Sequence, residues 1–533
     1  MNLFLKVASS RVLRTILVAL LFLVPGAAHK GWAEEVTFEI STFILEGSTL
    51  FDELHLMNIL TPYTGQAKTS EDVERARTAL ELYHHTNGYP TVLVNIPEQT
   101  VEDGVVRLQV IETRIREVRV KGNRYHTREH ILERLPSLGP GKVIYLPDLQ
   151  GDLARLNSAR DLEVTPAIMP GQEMDTLDVE LEVTDSLPVH GSVELNNRST
   201  HDTSALRVNA SMSFDNLWQA GHSVSLQHQT APLEPKEVQA VALSYVLPAP
   251  WRDDHFIAAY GVLSDSETAF GSGFNVIGEG FILGARYVMP LPSYKEYQHN
   301  LTAGLDYKDF QQSYTIAPGE SLDTPITYMP LLFSYSGSMA DRWGSTSLSL
   351  GLNLLVRGLV SDDAEVRDER FKARGNYIYL RAGLERVQKL PLETALFVKL
   401  DGQIADQPLV SNEQYTAGGM ENVRGYQESE FAGDDALHAT LEISNAALDR
   451  HLMPWGGAVT LSPYLFYDAA WLRVQEPLPD QQASEFLHGA GIGSRLLASD
   501  WLRAKFDLGM TLSDTAETEA LDVIGHFRLE YRF

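Results

Sequence analysis

Few residues in this chain are arranged to do chemistry, and the usual reactive patterns are missing. There is no cysteine in 533 residues, which removes both a disulfide framework and a thiolate metal site. No Gly-x-Ser-x-Gly elbow, no His-Glu-x-x-His pair and no glycine-rich phosphate loop is present. Hydrolase, metalloprotease and nucleotide-driven chemistry are therefore disfavoured. His84-His85 invite a metal reading, but adjacent helical positions point about 100° apart. Surface histidines are expected there, and no catalytic residue, metal or cofactor is assigned. What remains is Arg424, in the run Val423-Arg424-Gly425-Tyr426. A guanidinium presents a planar fork that holds a carboxylate bidentately, as lysine cannot. The glycine beside it lets the chain turn tightly. On these residues alone, an ordinary exposed arginine on a long loop remains open.

The elements that would carry Arg424 are read from the whole chain. Lys6, Arg11 and Arg14 precede an apolar run from Thr15 to Val24, followed by small residues up to Ala33. That run is too short to span a bilayer and reads as a cleaved export signal, residues 1–33, with Ala28 and Ala33 as alternative cleavage points. No later window approaches the ~20 apolar residues of a spanning helix. Yet 21 Tyr, 20 Phe and 39 Gly are dispersed through a long sequence, as in a transmembrane barrel whose lipid-facing and lumen-facing positions alternate. The formal charge of −28 argues against nucleic acid as a partner and suits acidic, solvent-facing loops.

Residues 188–533 read as that barrel. About sixteen segments of strand length can be marked, beginning 189–198, 204–214 and 221–230 and ending 501–513 and 522–533. If the first strand rises from the periplasm, tight turns fall at 215–220, 248–253, 290–296, 337–342, 388–392, 447–457 and 498–500. Longer outer loops fall at 311–325, 356–375, 406–435 and 474–485. Short turns alternating with long loops is the barrel rule. Tyr245-Val246-Leu247-Pro248 and Tyr287-Val288-Met289-Pro290 are expected to end strands at the membrane interface, since proline cannot donate to a ladder. The chain closes on Val523, Gly525, Phe527, Leu529, Tyr531 and Phe533, strictly alternating.

Residues 34–113 and 114–187 differ from the rest. The first stretch reads β-α-α-β-β, with a strand over 37–45, helices over 51–60 and from Thr69 or Ser70 to His85, and strands over 91–96 and 105–111. Asn87-Gly88 stops the second helix. The second stretch repeats that order over 115–121, 128–135, 147–158, 162–168 and 176–183.

Thr61-Pro62-Tyr63-Thr64-Gly65, Tyr83, Gly88-Tyr89 and Ile96-Pro97-Glu98-Gln99 with Gly104 resemble the first polypeptide-transport-associated (POTRA) domain of the two-partner secretion transporters. Gly122-Asn123 carries the resemblance into a second such domain. The resemblance implies a fold of two α/β POTRA domains in the periplasm and a C-terminal β-barrel in the bacterial outer membrane. It implies a function without nucleotide hydrolysis, in which an unfolded haemolysin-, adhesin- or toxin-like client is held by the modules and secreted through the barrel. Tyr83, Gly88, Tyr89, Pro97 and Gln99 would form the client-binding module. Lipid and the barrel-assembly machinery, reading the strand that ends at Phe533, would be further partners. A barrel-assembly insertase of the same superfamily is the alternative.

The Val423-Arg424-Gly425-Tyr426 run resembles the tip motif of the sixth outer loop in this family. The resemblance implies that the loop folds into the lumen and that Arg424 pairs with Asp468, in Phe466-Tyr467-Asp468-Ala469-Ala470. The family's final glycine is Ala470 here, which would leave less room. Gly433-Asp434-Asp435-Ala436 resembles a Gly-Asp-x-Gly continuation, and Asp215-Asn216-Leu217-Trp218 the first periplasmic turn. Many relatives carry a plug helix before the first module; with that module starting near Val36, none is expected.

Overall fold

The structure, a computed structural model, describes residues 36–533 apart from 174, 202, 267–277, 318–319, 361, 449 and 453–458. The export signal, its cleavage points and the plug-helix question lie outside the described residues.

The N-terminal segment forms the expected elements for local reasons. Helix Ser70–Thr86 starts in a capping box, with Thr69 and Asp72 each accepting from the other's backbone N–H at 3.4 and 3.0 Å. It ends at Asn87-Gly88, where Gly88 has φ +94°. Val73, Ala76, Leu80 and His84 form its buried face, packed with Val92, Val94, Val106, Leu108 and Val110. His84 therefore belongs to the core and not to the surface. Its Nδ1 reaches the Leu80 carbonyl at 2.9 Å, which lets an imidazole occupy the helix's apolar stripe.

The expected strand over 37–45 is two strands. Phe38–Ile40 pairs with Gly65–Lys68, whereas Thr42–Glu46 lies parallel to Val105–Glu112. The break falls at Ser41, whose N–H bonds the Gly104 carbonyl at 2.7 Å. Gly104 has φ +72° and no room for a Cβ, which would stand 2.4 Å from the Ser41 hydroxyl. Val92–Asn95 completes a sheet with Val105–Glu112 in its centre. The second stretch repeats this topology, with Thr176–Asp185 between Arg114–Lys121 and Leu162–Pro170.

Compact packing groups residues through Lys121 with Arg134–Leu156 and Val164–Glu182, and places Gly122–Glu133 and Asn157–Glu163 with the barrel. In that second unit the first periplasmic turn is a docking point. Gln219 accepts from Thr127 N–H at 2.9 Å and donates to the Tyr125 carbonyl at 2.9 Å. Asn216 reaches His126 Nδ1 at 3.0 Å, and His126 Nε2 meets Asp161 at 2.6 Å. Asn216, Trp218 and Gln219 all have positive φ, the local strain of a turn tightened to present those groups.

The barrel closes with sixteen antiparallel strands. Glu320–Tyr328 and Pro330–Asp341 form one interrupted strand against Tyr297–Ala317. Asp435–Asn445 and Arg450–Leu452 likewise share the partner Val459–Arg473. The final strand Val523–Arg532 pairs with Val189–Asn196, and Phe533 and Gly191 exchange N–H···O bonds of 3.0 Å at the seam. Closure leaves no unpaired edge for lipid.

One face of each strand is exposed and apolar. Met212, Leu226, Leu243, Gly261 and Leu283 lie side by side in register, and the four side chains among them are exposed. The alternate row, Ser213, Ser225, Ser244 and Tyr260, is polar and faces inward. Exposed Trp218, Trp251, Trp343 and Trp501 occupy four turns at one end, where aromatic girdles sit at a membrane interface.

Two expectations about strand ends do not hold. Pro248 and Pro290 lie inside strands, paired with Phe256 and Asn300. Each sits beyond the end of the ladder on its other side, which stops at Val246 and Val288, so the missing N–H deprives no partner. The loop expected over 311–325 is largely strand, with pairing continuing from Gln311↔Pro325 to Ala317↔Glu320; an antiparallel ladder extends past the bilayer without needing an apolar face. The loop over 356–376 contains a short helix, Asp363–Glu369.

The facing assignment is testable in refolded protein. Leu243→Arg is expected to destabilise the barrel by about 2–4 kcal/mol, the scale for a cation on the lipid face, while Ser244→Arg is expected to be tolerated. Denaturant unfolding in lipid vesicles measures both.

Candidate functional site: a loop latched inside the barrel

The loop between strands Thr394–Ala405 and Asp435–Asn445 does not stand out into solvent. Ala417, Met420, Val423 and Tyr426 are all at most 1% exposed. Arg424 is buried against the inner wall and makes a bidentate pair with Asp468, Nε to Oδ2 at 2.7 Å and Nη2 to Oδ1 at 2.8 Å. Its own backbone N–H adds a third bond to Oδ2 at 3.2 Å. Nη1 donates to Glu442 at 2.7 Å, and Asp507 stands 3.8 Å away. The guanidinium lies 3.6 Å over the Phe466 ring. Burial alone would disfavour its charge; the hydrogen bonds and field of Asp468, with Glu442 and Asp507, outweigh that and raise its pKa further.

The surrounding charges are paired in turn. Arg495 donates to Glu442 at 2.5 Å and lies 4.1 Å over Tyr464. Tyr464 donates to Asp507, and Lys505 is 3.3 Å from Asp507. Such pairing is what a desolvated cluster requires, because removing one partner of a buried pair costs about 3–5 kcal/mol.

Backbone shape admits the tip. Gly425 has φ +105°, and its N–H meets His526 Nε2 at 3.2 Å. On the wall, a Cβ at Gly509 would stand 2.5 Å from Gly425 N, and one at Gly489 would stand 2.1 Å from the Arg424 carbonyl. Tyr426 Oη donates to the Ser513 carbonyl at 2.8 Å. Ala470, where less room was expected, is 1% exposed and packs in one cluster with Val423 and Tyr426. Its methyl fills space that a glycine would leave open.

The structure thus brings together Val423, Arg424, Gly425, Tyr426 and Asp468. The residues missed from sequence are Glu442, Asp507 and the two wall glycines, and for Phe466, the aromatic of the strand motif, the contact with Arg424 was not foreseen. A signal existed for Gly489: Gly489, Gly491 and Gly493 alternate on one strand, which strips one face of side chains. Gly433-Asp434-Asp435 also acquires a role. Buried Asp434 accepts from Arg370 at 3.1 Å, Leu409 N–H at 2.8 Å and Gln475 N–H at 2.7 Å, joining three outer loops.

The module-1 residues are placed differently. Tyr83 and Tyr89 both pack edge-on against Phe51, at 5.1 and 5.7 Å. Tyr89 also packs at a tilt against Tyr145 at 5.1 Å, and the Gly88 carbonyl accepts from Leu146 N–H at 2.8 Å. Gln99 clasps the Arg107 backbone, with bonds of 2.8 and 2.7 Å, where Val92–Asn95 no longer covers that strand. Pro97 and Gln99 line a groove with Phe38 and Val73, away from the two tyrosines.

A closed barrel with a buried loop tip and an α/β segment ahead of it defines an outer-membrane transporter barrel. The sequence profile for the ShlB-type POTRA domain matches residues 38–113, and that for the haemolysin secretion/activation proteins ShlB/FhaC/HecB matches residues 333–496. The outer membrane transporter CdiB of Dickeya dadantii (strain 3937) is 20% identical over 519 residues, 91% of this chain and 85% of that protein. The heme/hemopexin transporter protein HuxB of Haemophilus influenzae (strain 86-028NP) is 20% identical over 426 residues, 78% of this chain and 72% of the relative. Among solved structures, CdiB from Escherichia coli superposes with a TM-score of 0.67 at 18% identity, covering 96% of this chain and 93% of that one. BamA from Haemophilus ducreyi lacking POTRA domains 1–3 gives 0.57 at 16% identity, covering 93% and 100%. Both family models, together with the transporters CdiB and HuxB, support a two-partner secretion transporter of the outer membrane.

Gly509→Val and Arg424→Ala are both expected to displace the tip and to raise single-channel conductance in planar bilayers. Conductance identical to wild type would mean that the tip does not rest on that wall.

Proposed function

We propose that this protein secretes an unfolded, haemolysin-, adhesin- or toxin-like partner protein across the outer membrane, using residues 34–113 and 114–187 as two periplasmic POTRA domains and residues 188–533 as the conduit. The observation that carries the reading is the loop tip held inside the lumen by Arg424 and Asp468, in a chain whose first module has an open sheet edge at Thr42–Glu46. Thr42–Glu46 and Val92–Asn95 are the outer strands of that module's sheet; on the latter the Val94 N–H and carbonyl are taken by Glu81 and Arg77, which leaves Thr42–Glu46 as the edge to extend. An extended client can add a strand to such an edge through backbone hydrogen bonds, with little demand on its side chains. The groove beside Pro97 and Gln99 supports capture there. Tyr83, Gly88 and Tyr89 act by holding that module's shape.

Nothing in this scheme requires catalysis, a metal or a nucleotide, and the client's folding outside supplies direction. Tryptophan-bearing turns anchor the barrel in lipid, and the strand ending at Phe533 is what the barrel-assembly machinery reads. The fold shared with BamA keeps an insertase as the second reading, against which stand the two profiles specific to secretion proteins.

Co-expression with a candidate client tests this. Wild type is expected to release the client into the medium. Arg424→Ala and a variant lacking residues 36–113 are expected to fail despite normal barrel insertion. Equal release from all three would remove the secretion reading.

A further inference from the structure

The sixth loop is held at a second place, with the polarity of the first reversed. At the tip the loop contributes the cation and the wall the carboxylates. Eleven residues earlier, at the loop's base, the loop contributes Glu413, on the turn Ser411–Glu413, and the wall contributes the donors. Glu413 is 2% exposed. Its Oε1 receives Lys308 Nζ at 2.6 Å and Tyr328 Oη at 2.9 Å, and its Oε2 receives Tyr379 Oη at 2.6 Å. Its backbone carbonyl accepts from Gln403 at 3.1 Å and Arg381 at 3.3 Å. These donors stand on the strands Tyr297–Ala317, Glu320–Tyr328, Tyr377–Lys389 and Thr394–Ala405. None of them touches the tip, whose partners stand on the strands from Asp435 onward.

The base is also the apolar part of the loop. Leu409 and Val410 are at most 2% exposed and pack with Phe310, Ile326, Val366 and Tyr377. Val366 comes from the short helix of the preceding long loop, which Glu369 ties to Ser411 at 2.9 Å. Between base and tip lie Gly418 and Gly419, with φ +108° and +100°. Two glycines in left-handed conformation form a joint across which one grip can yield while the other holds.

We infer that Glu413 is a positioning residue whose contact with Lys308, Tyr328 and Tyr379 keeps the base of the sixth loop in the lumen independently of the Arg424–Asp468 latch. Loss of the latch then frees the tip and leaves the base packed against its wall. This concerns the resting barrel and needs no client, so it stands or falls separately from the secretion reading.

The absence of native cysteine makes the test clean. Val410→Cys is introduced into the full chain, and cells are treated with a membrane-impermeant maleimide. Heat-modifiable gel mobility checks that each barrel is folded. The site is expected to stay unlabelled in the wild-type and Arg424→Ala backgrounds. In the Glu413→Gln background labelling is expected to rise about tenfold, the scale of population change that one lost charge-assisted hydrogen bond produces. The exchange Lys308→Glu with Glu413→Lys is expected to restore protection, which a merely space-filling role would not do. Labelling in the wild-type background, equal labelling in Arg424→Ala and Glu413→Gln, or a folded exchange variant that stays open, would each overturn the inference.

Discussion

A guanidinium at 3% exposure inside a barrel can persist only if the wall supplies acceptors for it. That requirement organises much of what surrounds Arg424. Three acidic residues on three different strands converge on it, and Arg495 and Lys505 balance the excess negative charge. Phe466 covers one face of the guanidinium. The glycines of the wall exist in the same sense, since a side chain at Gly489 or Gly509 would occupy the space of the loop's backbone. A sixth loop without this arginine would leave buried Asp468 without its cationic partner, and the wall would have no reason to be bare.

The loop in turn shapes the outer half of the lumen. Asp434 fixes its end to two neighbouring loops, Glu428 receives Arg198 from the first outer loop at 3.0 and 3.1 Å, and Glu413 reaches the strands before it. The loop is therefore one strap gripped along its length, with its charges matched residue by residue to the wall. A transporter needs a lumen that is closed at rest and can yield, and discrete polar grips joined by a glycine pair suit that need better than a continuous apolar plug.

Much of this was readable from the amino-acid order. Most of the sixteen barrel strands fall within a few residues of the segments marked by alternation, because lipid on one face and water on the other impose a period of two; the two that flank 311–325 run well past theirs. The pairing of Arg424 with Asp468 was reachable only through resemblance, since 44 residues separate them and no local rule joins them. Glu413 gave no signal at all, for its partners lie up to 105 residues away and acidic residues are common in such loops. The hairpin around 311–325 was misread because outside the bilayer a strand needs no apolar face. His84 was misread because a single hydrogen bond to the Leu80 carbonyl lets a polar ring enter the helix's buried stripe.

The central claim is that Arg424 and Asp468 act as one unit within the lumen. A double-mutant cycle on client release, with Arg424→Ala, Asp468→Ala and both together, measures it most directly. The account requires the double variant to be no worse than the more damaged single variant, because each change removes the same contact. Independent losses that multiply in the double variant would contradict it.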